Sequence, residues 1–79
     1  MTTIITPEMQ REIDNLFTYH SPTEDQIVRY AAIRQAGKDL ALTILASTPK
    51  SADQTAALRK VREAVMTANA AIATNEDGA

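Results

Sequence analysis

Seventy-nine residues and a mass of 8.6 kDa hold one small domain, residues 1–79, and a core of that size rarely supplies more than about 3–5 kcal/mol without a staple. No cysteine is present and only one histidine, so disulfides are excluded and a structural zinc site nearly so; oligomerisation is the remaining staple. The net charge of −2 divides into −4 over residues 1–25, +5 over 26–62 and −3 over 63–79. Such a chain lacks the broad basic footprint that DNA or RNA polymers need, yet its basic middle suits a compact pocket for a small anion.

The composition is that of closely packed helices: 44% hydrophobic, rich in alanine, with two glycines, three prolines and only Phe17, Tyr19 and Tyr30 aromatic. Residues 1–5 carry no helical pattern. Thr6-Pro7-Glu8 is a helix start, with a hydroxyl cap, a proline at the first helical position and an acid in the first turn. Met9, Ile13, Leu16 and Phe17 then recur at helical spacing, which predicts a short helix over about 7–17. Thr18 to Pro22 form a connector. Two capping boxes overlap there, Ser21–Glu24 and Thr23–Gln26, and either opens the second helix. That helix is predicted over about 23–47, a length of about 37 Å. Its Tyr30, Ile33, Gly37, Leu40 and Ile44 form a seam stepping by three and four, with a glycine where backbones can approach. Leu40 to Ala46 is apolar all round, so one partner helix leaves part of it uncovered and a second subunit is expected there. Thr48-Pro49-Lys50 breaks the helix. Ser51–Gln54 is a third capping box, opening a helix over about 52–74 with the seam Leu58, Val61, Val65, Ala68 and Ile72. The short turn makes the last two helices antiparallel neighbours. Asn75 to Ala79 form a polar tail expected to fray. The fold class is therefore all-α: a short N-terminal helix followed by a long antiparallel hairpin, assembled as a homo-oligomer.

No membrane partner is expected, since no apolar run approaches the roughly 18–20 residues of a span. The first residues lack the basic start and apolar core of a signal peptide, and the missing cysteines suit a reducing compartment, so the expected location is the cytoplasm. The inventory for catalysis is poor: no thiol nucleophile, no nucleotide-binding glycine loop and no histidine–carboxylate metal spacing. The chain is expected not to be an enzyme and to use no cofactor or metal. His20, alone beside a helix start, reads first as a structural hydrogen-bonding group. Glu8, Glu12 and Asp14 read as a solvated face.

The bases offer more. Arg34 and Lys38 lie one turn apart on one helix face, and Arg59 and Arg62 are neighbours at i, i+3 on the last helix. Two such helices side by side can present guanidinium and ammonium groups to phosphates. The plainer reading is a solvated face with pairs such as Arg59–Glu63, worth roughly 0.3–0.5 kcal/mol. Tyr19 either closes the core of a small bundle or stacks on a planar ligand. Asn69, among alanines beside the seam, reads as a residue that fixes register or caps a buried backbone group. Met66 reads as core filler.

Taken together, Phe17-Thr18-Tyr19-His20-Ser21-Pro22-Thr23, Tyr30-Ala31-Ala32-Ile33-Arg34, Ser51-Ala52-Asp53-Gln54 and the run from Ala57 to Ala73, with its Ala68-Asn69-Ala70-Ala71-Ile72-Ala73 ending, resemble the small phage anti-CBASS proteins that sequester cyclic oligonucleotides. The resemblance runs from about Leu16 to Ala73. It implies a helical hairpin assembling as a compact homohexamer in the cytoplasm of the infected bacterium. Such proteins hold cyclic dinucleotides in pockets shared between subunits, and some hold cyclic trinucleotides at a separate site. They sponge up the signal without cleaving it, so the host's effector stays off. By the same resemblance, Tyr19 matches the loop aromatic that stacks on a base. Arg34 and Lys38 are the candidates for the phosphates, and Arg59 is a contributor from a neighbouring subunit. His20 either hydrogen-bonds the ligand or pins the loop. The chain departs from the family at Thr67, where members carry a bulky aromatic.

Two other functions compete with the sponge. A helical oligomer that engages another protein and no nucleotide accounts equally well for the apolar Leu40–Ala46 stretch. A nucleotide-degrading enzyme is the weakest of the three, for want of a nucleophile or metal-ligand cluster.

Overall fold

The computed structural model describes residues 2–76. Every regular element among them is helical: α1 (Pro7–Phe17), α2 (Glu24–Ser47) and α3 (Ala52–Asn75). Each begins where a side-chain oxygen takes up an N–H left without an intrahelical acceptor. The Thr6 hydroxyl accepts the Met9 N–H at 3.1 Å, with Pro7 as first helical residue. At α2 the choice between overlapping boxes falls on Thr23. Its hydroxyl accepts the Gln26 N–H at 3.2 Å, and the Gln26 side-chain oxygen accepts the Thr23 N–H at 3.0 Å. The box closed at Thr23 is reciprocal, so it satisfies the N–H groups of both Thr23 and Gln26. At α3 only half the expected box forms. The Ser51 hydroxyl accepts the Gln54 N–H at 3.1 Å, while the Gln54 amide donates back to Thr48, to its carbonyl at 3.1 Å and its hydroxyl at 3.2 Å. That cross-brace stiffens the connection around Pro49.

α2 and α3 pack antiparallel along their seams, and α1 stands apart from this packing. Gly37 is the closest approach. A Cβ built there would overlap Val65 Cγ2, so only glycine lets the helices lie at this separation. The open end of the hairpin is tied by polar groups. Asn15 at the end of α1 donates to the Thr74 carbonyl at 2.7 Å. Arg29 grips both oxygens of Glu76 at 2.7 Å each and also donates to Asp25 at 2.9 Å, while Gln26 donates to Glu76 at 3.1 Å. The Glu76 carboxyl is held well below its ordinary 4.5, at about 2, by the hydrogen bond from Arg29 first and that from Gln26 second. Hydrogen bonding to Glu76 raises Arg29 correspondingly. The tail expected to fray from Asn75 is therefore fixed as far as Glu76, and residues 77–79 lie outside the described ones.

No hydrophobic side chain is buried among the described residues; the one buried residue is Gln26, 5% exposed. The molecule is one helix layer thick, 49 × 42 × 13 Å, with a radius of gyration of 17.0 Å. A self-contained domain of this length would have a radius near 12 Å. Its exposed surface of 6476 Å² compares with about 4,700 Å² for a folded monomer of this mass. Leu40, Leu42 and Leu45 are each about half exposed, and Met9, Ile13, Leu16 and Phe17 line an exposed apolar side of α1. None of the described helices is long and apolar enough to cross a membrane.

Candidate functional site

Two grooves run along the hairpin on either side of the Gly37–Val65 contact. At 100° per residue, Ile33, Ala36 and Leu40 fall on one side of the α2 seam and Arg34, Lys38 and Ala41 on the other. The first groove, about 470 Å³, is walled by small and aliphatic side chains such as Ala64 and Ala68, with Lys60 as its one cation. The second, about 370 Å³, is nearly as apolar on its surface but is bordered by three cationic residues. Arg34 and Lys38 line it from α2, Arg62 lines it from α3, and Leu58, Val65 and Met66 supply apolar surface.

The stripe Leu58, Arg62, Met66 steps by four on α3, just as Arg34 and Lys38 do on α2, so the three cations come from facing ridges. With Gly37 set against Val65, antiparallel packing places Lys38 and Arg62 within about 3 Å of the same level along the axis, and Arg34 about one and a half turns away. The described ion pairs are both made by Arg29, with Asp25 and with Glu76. Arg34, Lys38 and Arg62 have no carboxylate partner among the described residues, and the Arg59–Glu63 pair read from spacing is not formed. Three like charges bordering one groove repel weakly in water, and a small anion at its rim is attracted by all three.

The remaining candidates lie elsewhere on the protomer. Arg59 is exposed and lines neither groove. Its side chain is displaced about 60° further from the seam than that of Arg62. Tyr19 is 83% exposed in the connector, so it does not close a core within this chain. His20, half-buried, sits with Nε2 at 2.9 Å from the Asn15 carbonyl. A carbonyl only accepts, so the ring donates and ties the connector to α1. Glu24, which opens α2, and Arg34 are separated by about 15 Å of helix. One protomer therefore sets the Tyr19–His20 loop and the cationic groove apart.

Two further residues bear on their sequence readings. Met66 is 60% exposed and lines the cationic groove instead of filling a core. Asn69 Oδ1 is buried without a partner, so it caps no backbone group through that atom. Arg62, which spacing places beside Arg59 as a candidate phosphate ligand but which the family resemblance does not assign, lines the groove in place of Arg59. Its spacing of four from Leu58, a seam residue, was the available signal. Among the described residues, no three histidine, cysteine or carboxylate side chains are grouped so as to hold a metal ion.

An all-α chain whose two long helices pair antiparallel is a helical hairpin, and the family comparison names the kind. The family model described as Acb2/Tad1, hairpin domain, matches residues 9–73. The chain belongs to that family, the phage anti-CBASS sponges for cyclic oligonucleotides, whose members bind their ligands rather than transform them. The match begins at Met9, before the resemblance that starts at about Leu16, and so takes in most of α1. No curated protein and no solved structure matches the chain.

Proposed function

We propose that the protein binds cyclic dinucleotide immune signals and holds them intact, keeping them from the CBASS effector of an infected bacterium. Membership of the sponge family carries this reading, and the groove lined by Arg34 and Lys38 supports it chemically. A cyclic dinucleotide presents two phosphates and two flat bases. Fixed cations above an apolar floor suit such a molecule, and the exposed ring of Tyr19 adds a stacking face.

An open groove of about 370 Å³ on one protomer is at the lower end of the volumes that enclose a small ligand. A second subunit completes the site, bringing the Tyr19–His20 loop and Arg59 to the cations of its neighbour. The working unit is a homohexamer of single-domain chains spanning residues 1–79, acting in the cytoplasm without cofactor, membrane or nucleic-acid polymer.

The deciding experiment is a thermal-shift panel of cyclic di- and trinucleotides, followed by heat denaturation and chromatography of the released ligand. At 100 times the dissociation constant, a true ligand adds about 2.7 kcal/mol of stability, and it is recovered unchanged. No shift with any cyclic dinucleotide overturns the binding reading, and a linear or mononucleotide product overturns the non-enzymatic one.

A further inference from the structure

We propose that Arg62 is a third phosphate-binding residue of the cationic groove, closing from α3 a cradle that Arg34 and Lys38 form from α2. This rests on the reading of the groove as the nucleotide site and adds a ligand residue to it.

Three observations converge on Arg62. It lines the same groove as Arg34 and Lys38, whereas Arg59 and Lys60, its near neighbours in sequence, do not. It has no carboxylate partner among the described residues, in contrast to Arg29, whose guanidinium is fully engaged by Asp25 and Glu76. It stands between Leu58 and Met66 on the stripe beside the α2 seam, so its aliphatic stem adds to the apolar lining of the groove that Arg34 and Lys38 also border.

The chemistry then follows from the groups. A guanidinium offers a planar fork of donors that matches two oxygens of one phosphate, and it holds its charge at any working pH. Lys38, nearly level with it across the groove, supplies a point charge to the same phosphate. Arg34, further along α2, is placed for the second phosphate. Cations on two helices clamp a dianion from both sides, which a single helix face does not do. Met66 lies next to Arg62 on the stripe and presents a polarizable thioether to the flat face of a base. The ligand class is thus a small dianion carrying two phosphates on an aromatic frame.

Calorimetric titration of the full chain with cyclic di-AMP, cyclic di-GMP and cyclic GMP–AMP tests this, with inorganic pyrophosphate as a probe that lacks bases. Arg62 is exposed, so Arg62→Gln is expected to keep wild-type helicity by circular dichroism. It should weaken the cyclic dinucleotide that binds wild type at least ten-fold, with Arg62→Lys recovering part of the loss. Lys60→Gln, on the same helix but the opposite groove, should stay within two-fold. The salt dependence of binding should fall by about one ion in Arg62→Gln. Arg62→Gln binding within two-fold of wild type, or Lys60→Gln losing as much, overturns the assignment. Pyrophosphate separates this failure from that of the nucleotide reading. If wild type takes pyrophosphate in an Arg62-dependent way but no cyclic dinucleotide, the cradle stands and the nucleotide reading falls. If it takes cyclic dinucleotides with full affinity without Arg62, the reverse holds.

Discussion

Gly37 of α2 and Val65 of α3 meet where a single added methyl would overlap the valine Cγ2. Valine is stiff about χ1 and cannot swing aside cheaply. Overpacking of this kind costs about 1–3 kcal/mol, against a gain of about 1 kcal/mol in helix propensity when alanine replaces glycine. Gly37→Ala should therefore lower the thermal midpoint, with a net destabilisation of up to about 2 kcal/mol. Val65→Ala in the same chain should recover part of that loss, because the two substitutions share one contact. A Gly37→Ala chain as stable as wild type would show that the helices slide apart freely.

The Arg29–Glu76 pair gives stability a sign with pH. The folded carboxyl sits at about 2, below its ordinary 4.5. Its contribution is fully present above the unfolded value and is lost as pH falls from about 4.5 through about 2. Glu76→Gln should show a lower midpoint than wild type at pH 7 and should lose less on acidification. Thermal melts at pH 7, 4 and 2.5 check this; parallel curves for the two chains would mean that the clamp contributes nothing.

Tyr19→Ala should separate binding from folding. The ring is almost wholly exposed, so helicity and assembly should survive. Loss of one stacked base should weaken cyclic dinucleotide binding by about 1–3 kcal/mol. Arg34→Ala and Lys38→Ala should each weaken it by roughly 1.5–3 kcal/mol, with a reduced salt dependence. Oligomers mixing Tyr19→Ala and Arg34→Ala chains should regain a fraction of sites if each pocket draws on two subunits. Mixed oligomers with no binding would place Tyr19 and Arg34 in one pocket of one chain.

Sedimentation should find no stable monomer at micromolar concentration. Six copies correspond to about 52 kDa, a closed assembly of the kind that covers complementary faces. Leu42→Glu or Leu45→Glu should shift the population to smaller species, since each buries a charge wherever a neighbour covers Leu40 to Ala46. A wild-type species of 8.6 kDa would overturn the assembly.

Local signals were legible in the sequence and distant ones were not. Thr6, Thr23 and Ser51 announce their helices because a cap depends on residues three positions away, and all three accept the expected N–H. The seam of α2 was readable down to Gly37 because helical periodicity is itself a local property. Glu76 holding Arg29 was not readable, because 47 residues separate the pair and no spacing rule links them. The choice between Arg59 and Arg62 was not legible for a related reason. Their nearness in sequence suggested a pair, whereas the crossing at Val65 turns Arg62 toward Lys38 and leaves Arg59 outside both grooves. Met66 was misread because hydrophobicity predicts burial only where a second layer exists, and this molecule is 13 Å thick.

That single layer has a thermodynamic corollary. Among the described residues the α2–α3 seam is only half-buried and no apolar side chain is enclosed, so in the proposed oligomer a further share of the hydrophobic stabilisation comes from neighbouring chains and the folding free energy contains a term in protomer concentration. Dilution then acts as a denaturant, and the melting temperature should climb with the logarithm of total protein. Early in expression the first copies would be the least stable and the most open to proteolysis. Beyond a threshold level they would become resistant together, and the capacity to bind ligand would switch on as a step instead of rising in proportion to synthesis.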